Sequence, residues 1–417
     1  MKLNWLDSLV AESSHVETPE SWLWWSSLTC ISAAAGNNYH LTTLKGDLIY
    51  RPNLYVMLLG ESGLGKGYPI NRAKLLVQKA GVTRVIAGRS SIQAIVQELS
   101  RTKTVEGKAP IGDSRGFIVN GELSTAIIQD PDSLTILTDL YDGHYNPEWT
   151  NLLKGDGAEK LKNPYITALF GSSPAHFYDS IPQANIEGGY IGRNLIVYEE
   201  KRRQDVDLLD KEKEEDEVEI DKFNEEVVPK YVPHLNTIAI KKGQLKPTED
   251  ARKFFNTWRK KWRDTQTHDK TGFLNRVPDH VLKVSMCMSL ANWDFDGEIS
   301  QVDIEEAIQR VTNLVYSNKR TTEGRGPDPL AASTKVVLDY LIAAPDNKIV
   351  RKNLLWRGYG VFNSFTLDQI AENLIEMGWM KRKKIGSGKG IDWEYELAGE
   401  PLTSYQNYVK SRQKEKK

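Results

Sequence analysis

Between residues 50 and 200, short apolar runs alternate with stretches of helical periodicity. The runs cover 53–59, 83–87, 116–120, 165–171 and 194–199. Apolar positions at helical spacing fill 69–80, 91–102, 133–142 and 175–180. Strands alternating with helices in this way predict an α/β domain over 51–200 with a largely parallel sheet. Residues 1–45 read as helical. Trp5, Leu6, Leu9 and Val10 come first, then a tryptophan-rich segment from Trp22 to Ile31. A helical collar over 1–50, with the tryptophans in a core or interface, is the simplest expectation.

After residue 200 the pattern changes. Residues 205–226 are strongly acidic, and helical patterns follow at 248–264, 277–292 and 302–318, the last with Ser300 as N-cap. Together 201–322 read as an acidic insertion and a helical lid. Trp258 and Trp262 stand one turn apart with Arg259, Lys260, Lys261 and Arg263 around them. An amphipathic helix burying both rings is expected; nucleic-acid binding is the alternative. Residues 321–329 are a linker by composition. Beyond it, helices at 333–343, 351–357 and 366–377 precede strands at 378–384 and 391–397. Three helices and a hairpin over 330–400 predict a winged helix, and 401–417 a basic tail. Lys381, Arg382, Lys383, Lys384 and Lys389 surround the hairpin tip, where phosphates would meet them. Winged helices also serve as protein-interaction modules.

Composition narrows the class. At 417 residues there is room for two or three domains. No apolar run approaches the roughly 20 residues of a membrane span, and the start lacks a signal-peptide core. Cys30 and Cys287 are the only cysteines. They offer neither metal-ligand spacing nor a disulfide framework, so a reducing cytoplasm is the expected location. The net charge of -1 hides a basic C-terminal unit, where 15 Lys/Arg stand against 10 Asp/Glu from Leu330 onward. That balance fits a nucleic-acid partner or an ordinary solvated surface.

The candidate chemistry begins at Gly60-Glu61-Ser62-Gly63-Leu64-Gly65-Lys66-Gly67, between the apolar run 54–59 and a helical pattern from Ile70. A strand, a glycine-rich turn and a helix form a phosphate-binding loop. Gly60, Ser62, Gly63, Leu64, Gly65, Gly67 and Tyr68 would line an anion, with Lys66 on the outer phosphates of ATP. The usual motif ends in Ser or Thr, whose hydroxyl holds Mg²⁺. Here that position is Gly67. A second acidic element follows in Phe117-Ile118-Val119-Asn120-Gly121-Glu122. Glu122 keeps the place of the water-activating glutamate, and Gly121 takes the metal-holding place, with Asn120 its alternative if the register slips. Either Mg²⁺ is held mainly by phosphates and water, or the site binds nucleotide for assembly and turns it over poorly.

The strand 165–171 ends in Ser172 and Ser173, either of which could sense a γ-phosphate. Arg193, just before the strand 194–199, could reach a neighbouring subunit's nucleotide.

This order of parts resembles the MCM-type branch of AAA+ ATPases, and more closely the uncharacterised P-loop replication proteins of phages and mobile elements. The segment Arg84–Ser91 is similar to the strand and Gly-x-x-Ser stretch of that branch. Gly192-Arg193-Asn194-Leu195 matches its arginine-finger motif at the arginine. Thr271–Arg276 opens a helix similar to its lid helix. The resemblance implies that Arg276 is the lid's sensor arginine, in cis or trans, and that a winged helix follows.

It also implies that a hairpin before the 165–171 strand enters the pore of a ring. Trp149–Lys162 has the turn signal Lys-Gly-Asp-Gly, and Lys154, Lys160 and Lys162 would then face DNA. A solvated surface hairpin is the plainer reading. The function expected is an ATP-dependent, ring-forming DNA motor, hexameric, serving replication. The rivals are a nucleotide-gated helicase loader or scaffold, and a winged-helix regulator.

Overall fold

The computed structural model describes residues 3–43, 48–88, 90–101, 112–123, 132–143, 148–152, 158–181, 189–206, 223–265, 269, 271–322, 330–386, 392–399 and 401. They form two compact units, 1–321 and 322–417.

The first unit opens with helices α1 (Trp5–Ala11) and α2 (Glu20–Ala35), then a hairpin of β1 (Tyr39–Thr43) and β2 (Leu48–Tyr50). Helix α2 ends at Gly36, whose positive φ of 52° suits a residue without Cβ. The chain then extends through Leu41-Thr42-Thr43, so this stretch of 1–45 is a strand and not the expected helix. β-branched threonines favour that outcome.

Five parallel strands make the central sheet: β3 (Tyr55–Leu59), β4 (Arg84–Ala87), β5 (Arg115–Asn120), β8 (Tyr165–Ser172) and β9 (Asn194–Tyr198). Their order is β4-β5-β8-β3-β9. All five expected strands are therefore present. Every residue of β3 and β8 is buried, which explains their continuous apolar sequence. Between β5 and β8 stands an antiparallel hairpin of β6 (Glu148–Leu152) and β7 (Ala158–Lys162).

Helices α3 (Gly67–Ala80), α4 (Ile92–Ser100), α5 (Ser133–Tyr141) and α6 (Pro174–Ser180) connect the strands. One face of the sheet packs on α2 and α3, and the other on α4 and α5. Helix α2 is buried on nearly all sides. Its Trp22 Nε1 donates to Val197 O at 3.0 Å, so the tryptophan-rich segment is core of the sheet's own unit.

Four more helices follow: α7 (Val228–Ile240), α8 (Glu249–Asp264), α9 (Phe273–Ala291) and α10 (Gln301–Thr322). Short strands tie them in. β10 (Gly243–Gln244) pairs with β1, and β11 (Lys246–Pro247) pairs with β12 (Glu298–Ile299). Ser300 caps α10 as expected. Its Oγ accepts the Asp303 N–H at 3.2 Å, while the Asp303 carboxylate accepts the Ser300 N–H at 2.8 Å, a reciprocal capping box.

Helix α8 half-buries Trp258 and Trp262, which stack at 5.8 Å, as an amphipathic helix should. Pro278 lacks the N–H that would bond Leu274 O four residues earlier. The Trp262 indole fills that place at 3.1 Å.

The second unit contains α11 (Ala331–Ala343), β13 (Lys348–Val350), α12 (Arg351–Arg357), α13 (Ser364–Glu376), β14 (Met380–Ile385) and β15 (Asp392–Leu397). Its three strands form an antiparallel sheet in the order β13-β15-β14 around its own core. Among the described residues, no helix is long and apolar enough to cross a membrane.

Candidate nucleotide site

The glycine loop leaves the C-terminal end of β3 and enters α3, the context the motif requires. Three of the loop's four glycines have a backbone or steric reason. Gly63 and Gly65 have φ of 89° and 86°. Gly60 is crowded: a Cβ there would lie 2.6 Å from Glu199 O and 2.8 Å from the Trp22 ring. The Lys66 ammonium folds over the loop, donating to Gly60 O at 2.6 Å and Glu61 O at 2.9 Å. Partial burial pulls its pKa down, opposed by the charges of Glu122 and Glu61. Ser62 is exposed and Leu64 packs partly against the core. The Tyr68 N–H donates to Gly65 O at 3.2 Å, and its ring lies under Arg72.

The ends of β5 and β8 reach the same edge. Leu123 N–H donates to Gly171 O at 2.6 Å, and a Cβ on Gly171 would sit 2.4 Å from Gly121 O. Glycine at 171 thus lets the exit from β5 pass across the end of β8. Asn120 is engaged locally, its amide donating to Gly88 O at 3.2 Å and its Oδ1 accepting the Glu122 N–H at 3.2 Å. The exposed Glu122, beyond the end of β5, is one of the two carboxylates whose charge Lys66 senses, with Glu61 the other. The Ser172 hydroxyl is buried and donates to Ser173 O. Ser173 Oγ accepts the His176 N–H at 3.3 Å, so it serves as the N-cap of α6.

The glycine-rich turn runs into the N-terminus of α3, the arrangement of an anion-binding loop. The protein's own donors do not form a metal cage: among the described residues, no cluster of three or more His, Cys, Asp or Glu could hold a metal ion. Sterics do not demand glycine at the two metal-holding places. A Cβ on Gly67 would come no closer than 3.9 Å to Asn71 Nδ2, and one on Gly121 would meet nothing within 4 Å.

The N-terminal segment braces the loop from a distance in sequence. Thr18 Oγ1 donates to Gly65 O at 3.4 Å. Arg202 forms an ion pair with Glu17 and donates to Gly63 O at 3.3 Å. A cavity of about 240 Å³ opens there, lined by Val16, Thr18, Leu64 and Val206 among others. Nothing in the sequence marks Glu17 or Thr18, because their partners are close only after folding.

Arg193 and Arg276 lie at the opposite edge. Arg193 precedes Asn194, which pairs with Tyr55 at the start of β3, whereas the loop follows Leu59. The separation is roughly 13 Å of strand, beyond an arginine's reach. Arg193 grips Asp142 through Nε at 3.0 Å and Nη2 at 2.5 Å, and donates to Gly189 O at 2.9 Å. Arg276 lies beside it on α9. A Cβ on Gly192 would meet Arg276 Nη1 at 3.0 Å, so the small residues of this turn make room for two guanidinium groups. Burial and the neighbouring Arg193 both lower the Arg276 pKa. Arg276 therefore stands with Arg193 beside the Gly189–Gly192 turn at the start of β9.

Helix α9 continues this polar row. His280 Nε2 bonds Gly192 O at 2.9 Å, and burial first of all pushes its pKa down to about 3. Lys283 is 3% exposed. Its ammonium donates to Asn53 Oδ1 at 2.6 Å and lies 4.0 Å from the Tyr141 ring centre. Desolvation pushes it down to about 8, against the pull of Asp142 and Asp279.

Two candidate DNA contacts are only partly described. In the β6–β7 hairpin, Trp149 and Leu161 are buried on one side while Lys160 and Lys162 are exposed. Lys154 lies outside the described residues. In β14, Lys381, Arg382, Lys383 and Lys384 are all exposed. Lys381 and Lys383 stand opposite Glu396 and Glu394, and Arg382 lies over Trp393. Lys389 lies outside the described residues. Helix α13 exposes Asp368, Glu372 and Glu376, of which Asp368 is paired with Arg351 at 2.8 Å. No family model matches the chain, and no curated protein matches it in sequence.

Proposed function

We propose that this chain is an ATP-dependent, ring-forming DNA motor of the MCM-like AAA+ kind, with a winged-helix second unit and a role in replication of a phage or mobile element. The observation that supports the reading is that the candidate residues stand at two edges of one sheet. The loop, Lys66 and Glu122 occupy one edge, and Arg193 with Arg276 the other. A site divided in this way is complete only where two copies meet. A closed head-to-tail ring, such as a hexamer, provides that meeting at every subunit.

In this reading Lys66 neutralises phosphate charge, and Glu122 orients water and accepts its proton. Arg193 from the next subunit stabilises charge on the transferred group. Arg276 adds a second cation there. Mg²⁺, carried by the nucleotide phosphates, would screen the remaining charge. Lys154, Lys160 and Lys162 contact single-stranded DNA in the pore, and the β14 cations support phosphates with little regard to sequence.

The testing experiment is ATP hydrolysis with Mg²⁺, with and without single-stranded DNA, in wild type and Lys66→Ala. The expected result is DNA-stimulated turnover that the variant loses. Absence of turnover in nucleotide-binding wild-type protein would instead favour a nucleotide-gated loader or scaffold. Gly67 and Gly121 are the observation behind that second reading.

A further inference from the structure

We propose that the groove between α8 and the β1–β2 hairpin is a further binding surface for single-stranded nucleic acid, separate from the pore hairpin and the β14 strand. The groove is a cavity of about 480 Å³ within the first unit. Its floor is apolar, with Leu41, Phe255, Leu282 and Ile304 all buried. Its rim is polar and cationic.

The cationic rim follows from helix geometry. Arg252, Asn256, Arg259 and Arg263 recur at spacings of four, three and four residues, which places them along one flank of α8. The core-facing residues Ala251, Phe255, Trp258 and Trp262 occupy the adjoining flank. At 1.5 Å per residue, the donor stripe runs about 16 Å. Arg252, Asn256 and Arg259 line the cavity itself, and Thr42 and Thr43 face them from β1. Arg252 forms a surface ion pair with Glu249. Arg259 and Arg263 have no carboxylate partner among the described residues. Among the described residues lining the cavity, Asp279 is the carboxylate, and it accepts the Tyr50 hydroxyl at 2.8 Å.

Donors and cations along a rim, above a floor that includes the rings of Tyr50 and Phe255, suit a strand whose phosphates track the rim while a base enters the groove. Charge complementarity selects this occupant over an apolar segment of another protein. Arg263 is exposed and Arg259 half-buried, and neither belongs to the core, so both can be reversed without opening it.

The test measures fluorescence anisotropy of a fluorescein-labelled oligodeoxythymidylate on the full chain, across a salt series and without nucleotide. The double variant Arg259→Glu/Arg263→Glu is expected to weaken binding by about tenfold or more and to flatten the salt slope by about 1.4, the change for two lost phosphate contacts. Photocrosslinking with 4-thiothymidine should label peptides containing Tyr50 or Phe255. Wild-type affinity and slope in the folded variant, with crosslinks confined to other segments, would overturn the proposal. So would unchanged oligonucleotide binding with an altered oligomeric state, which would mark the groove as a subunit contact. Because no nucleotide is present, this outcome is independent of the Lys66→Ala turnover assay.

Discussion

Asp142 holds Arg193 by two hydrogen bonds, Nε at 3.0 Å and Nη2 at 2.5 Å, at the sheet edge remote from the glycine loop. The pair joins the end of α5 to the start of β9. The arginine is 13% exposed and the carboxylate 37%, so the guanidinium is oriented yet still accessible to a neighbour.

That placement predicts complementation between subunits. Arg193→Ala should lower turnover on the order of a thousandfold, the lower range for a trans-acting arginine. Lys66→Ala should also be inactive. Mixing the two should restore part of the activity, because a subunit with intact Lys66 can then face one with intact Arg193. Steady-state ATPase rates of the mixtures check this, and a strictly additive null would refute the assignment.

The open space at Gly67 and Gly121 predicts gain rather than loss on substitution. Gly67→Thr and Gly121→Asp should fold normally, since neither new Cβ meets a close atom. Gly121→Asp should raise Mg²⁺-dependent turnover roughly ten- to hundredfold, the usual influence of a group that orients a metal's water shell. Titrating Mg²⁺ against rate in each variant measures the effect.

Lys283 predicts a pH dependence of stability. Its folded pKa of about 8 lies below the unfolded value near 10.4. Between those limits the unfolded chain binds the extra proton, so stability rises as pH increases from 8 toward 10. Lys283→Met should remove that rise. His280, at about 3, works in the acid range. Stability falls as pH drops below the unfolded value near 6.5, and His280→Gln should blunt the loss. Urea unfolding midpoints across pH, taken as variant minus wild type, isolate each contribution.

The Ser300–Asp303 capping box predicts a modest stability loss. Ser300→Ala leaves the first turn of α10 without its side-chain acceptor and should cost about 1 kcal/mol. Ser300→Asp should retain most of the stability. Equilibrium urea unfolding of both variants distinguishes a cap from a passive surface serine.

Much of the site was legible because its signals are local. The strand before Gly60, the loop and the helix after it are contiguous, and Gly63 and Gly65 are required by their own backbone angles. Glu122 follows a strand whose apolar run is plain. Local pattern was less reliable at 39–43, where a helical expectation met a strand, because pairing with β2 and β10 decided the conformation.

The sequence by itself determined the alternation that builds the parallel sheet, the glycine loop with its lysine, and the β6–β7 and β14–β15 hairpins. Each depends on side-chain period or on backbone conformations that only certain residues adopt. Tertiary structure alone decided which edge each functional group occupies. Asp142 as the partner of Arg193, Trp22 and Thr18 as braces of the loop, and Arg276 beside Arg193 all bring together residues far apart in the chain. Their proximity comes from strand order and helix packing, which residue spacing does not encode.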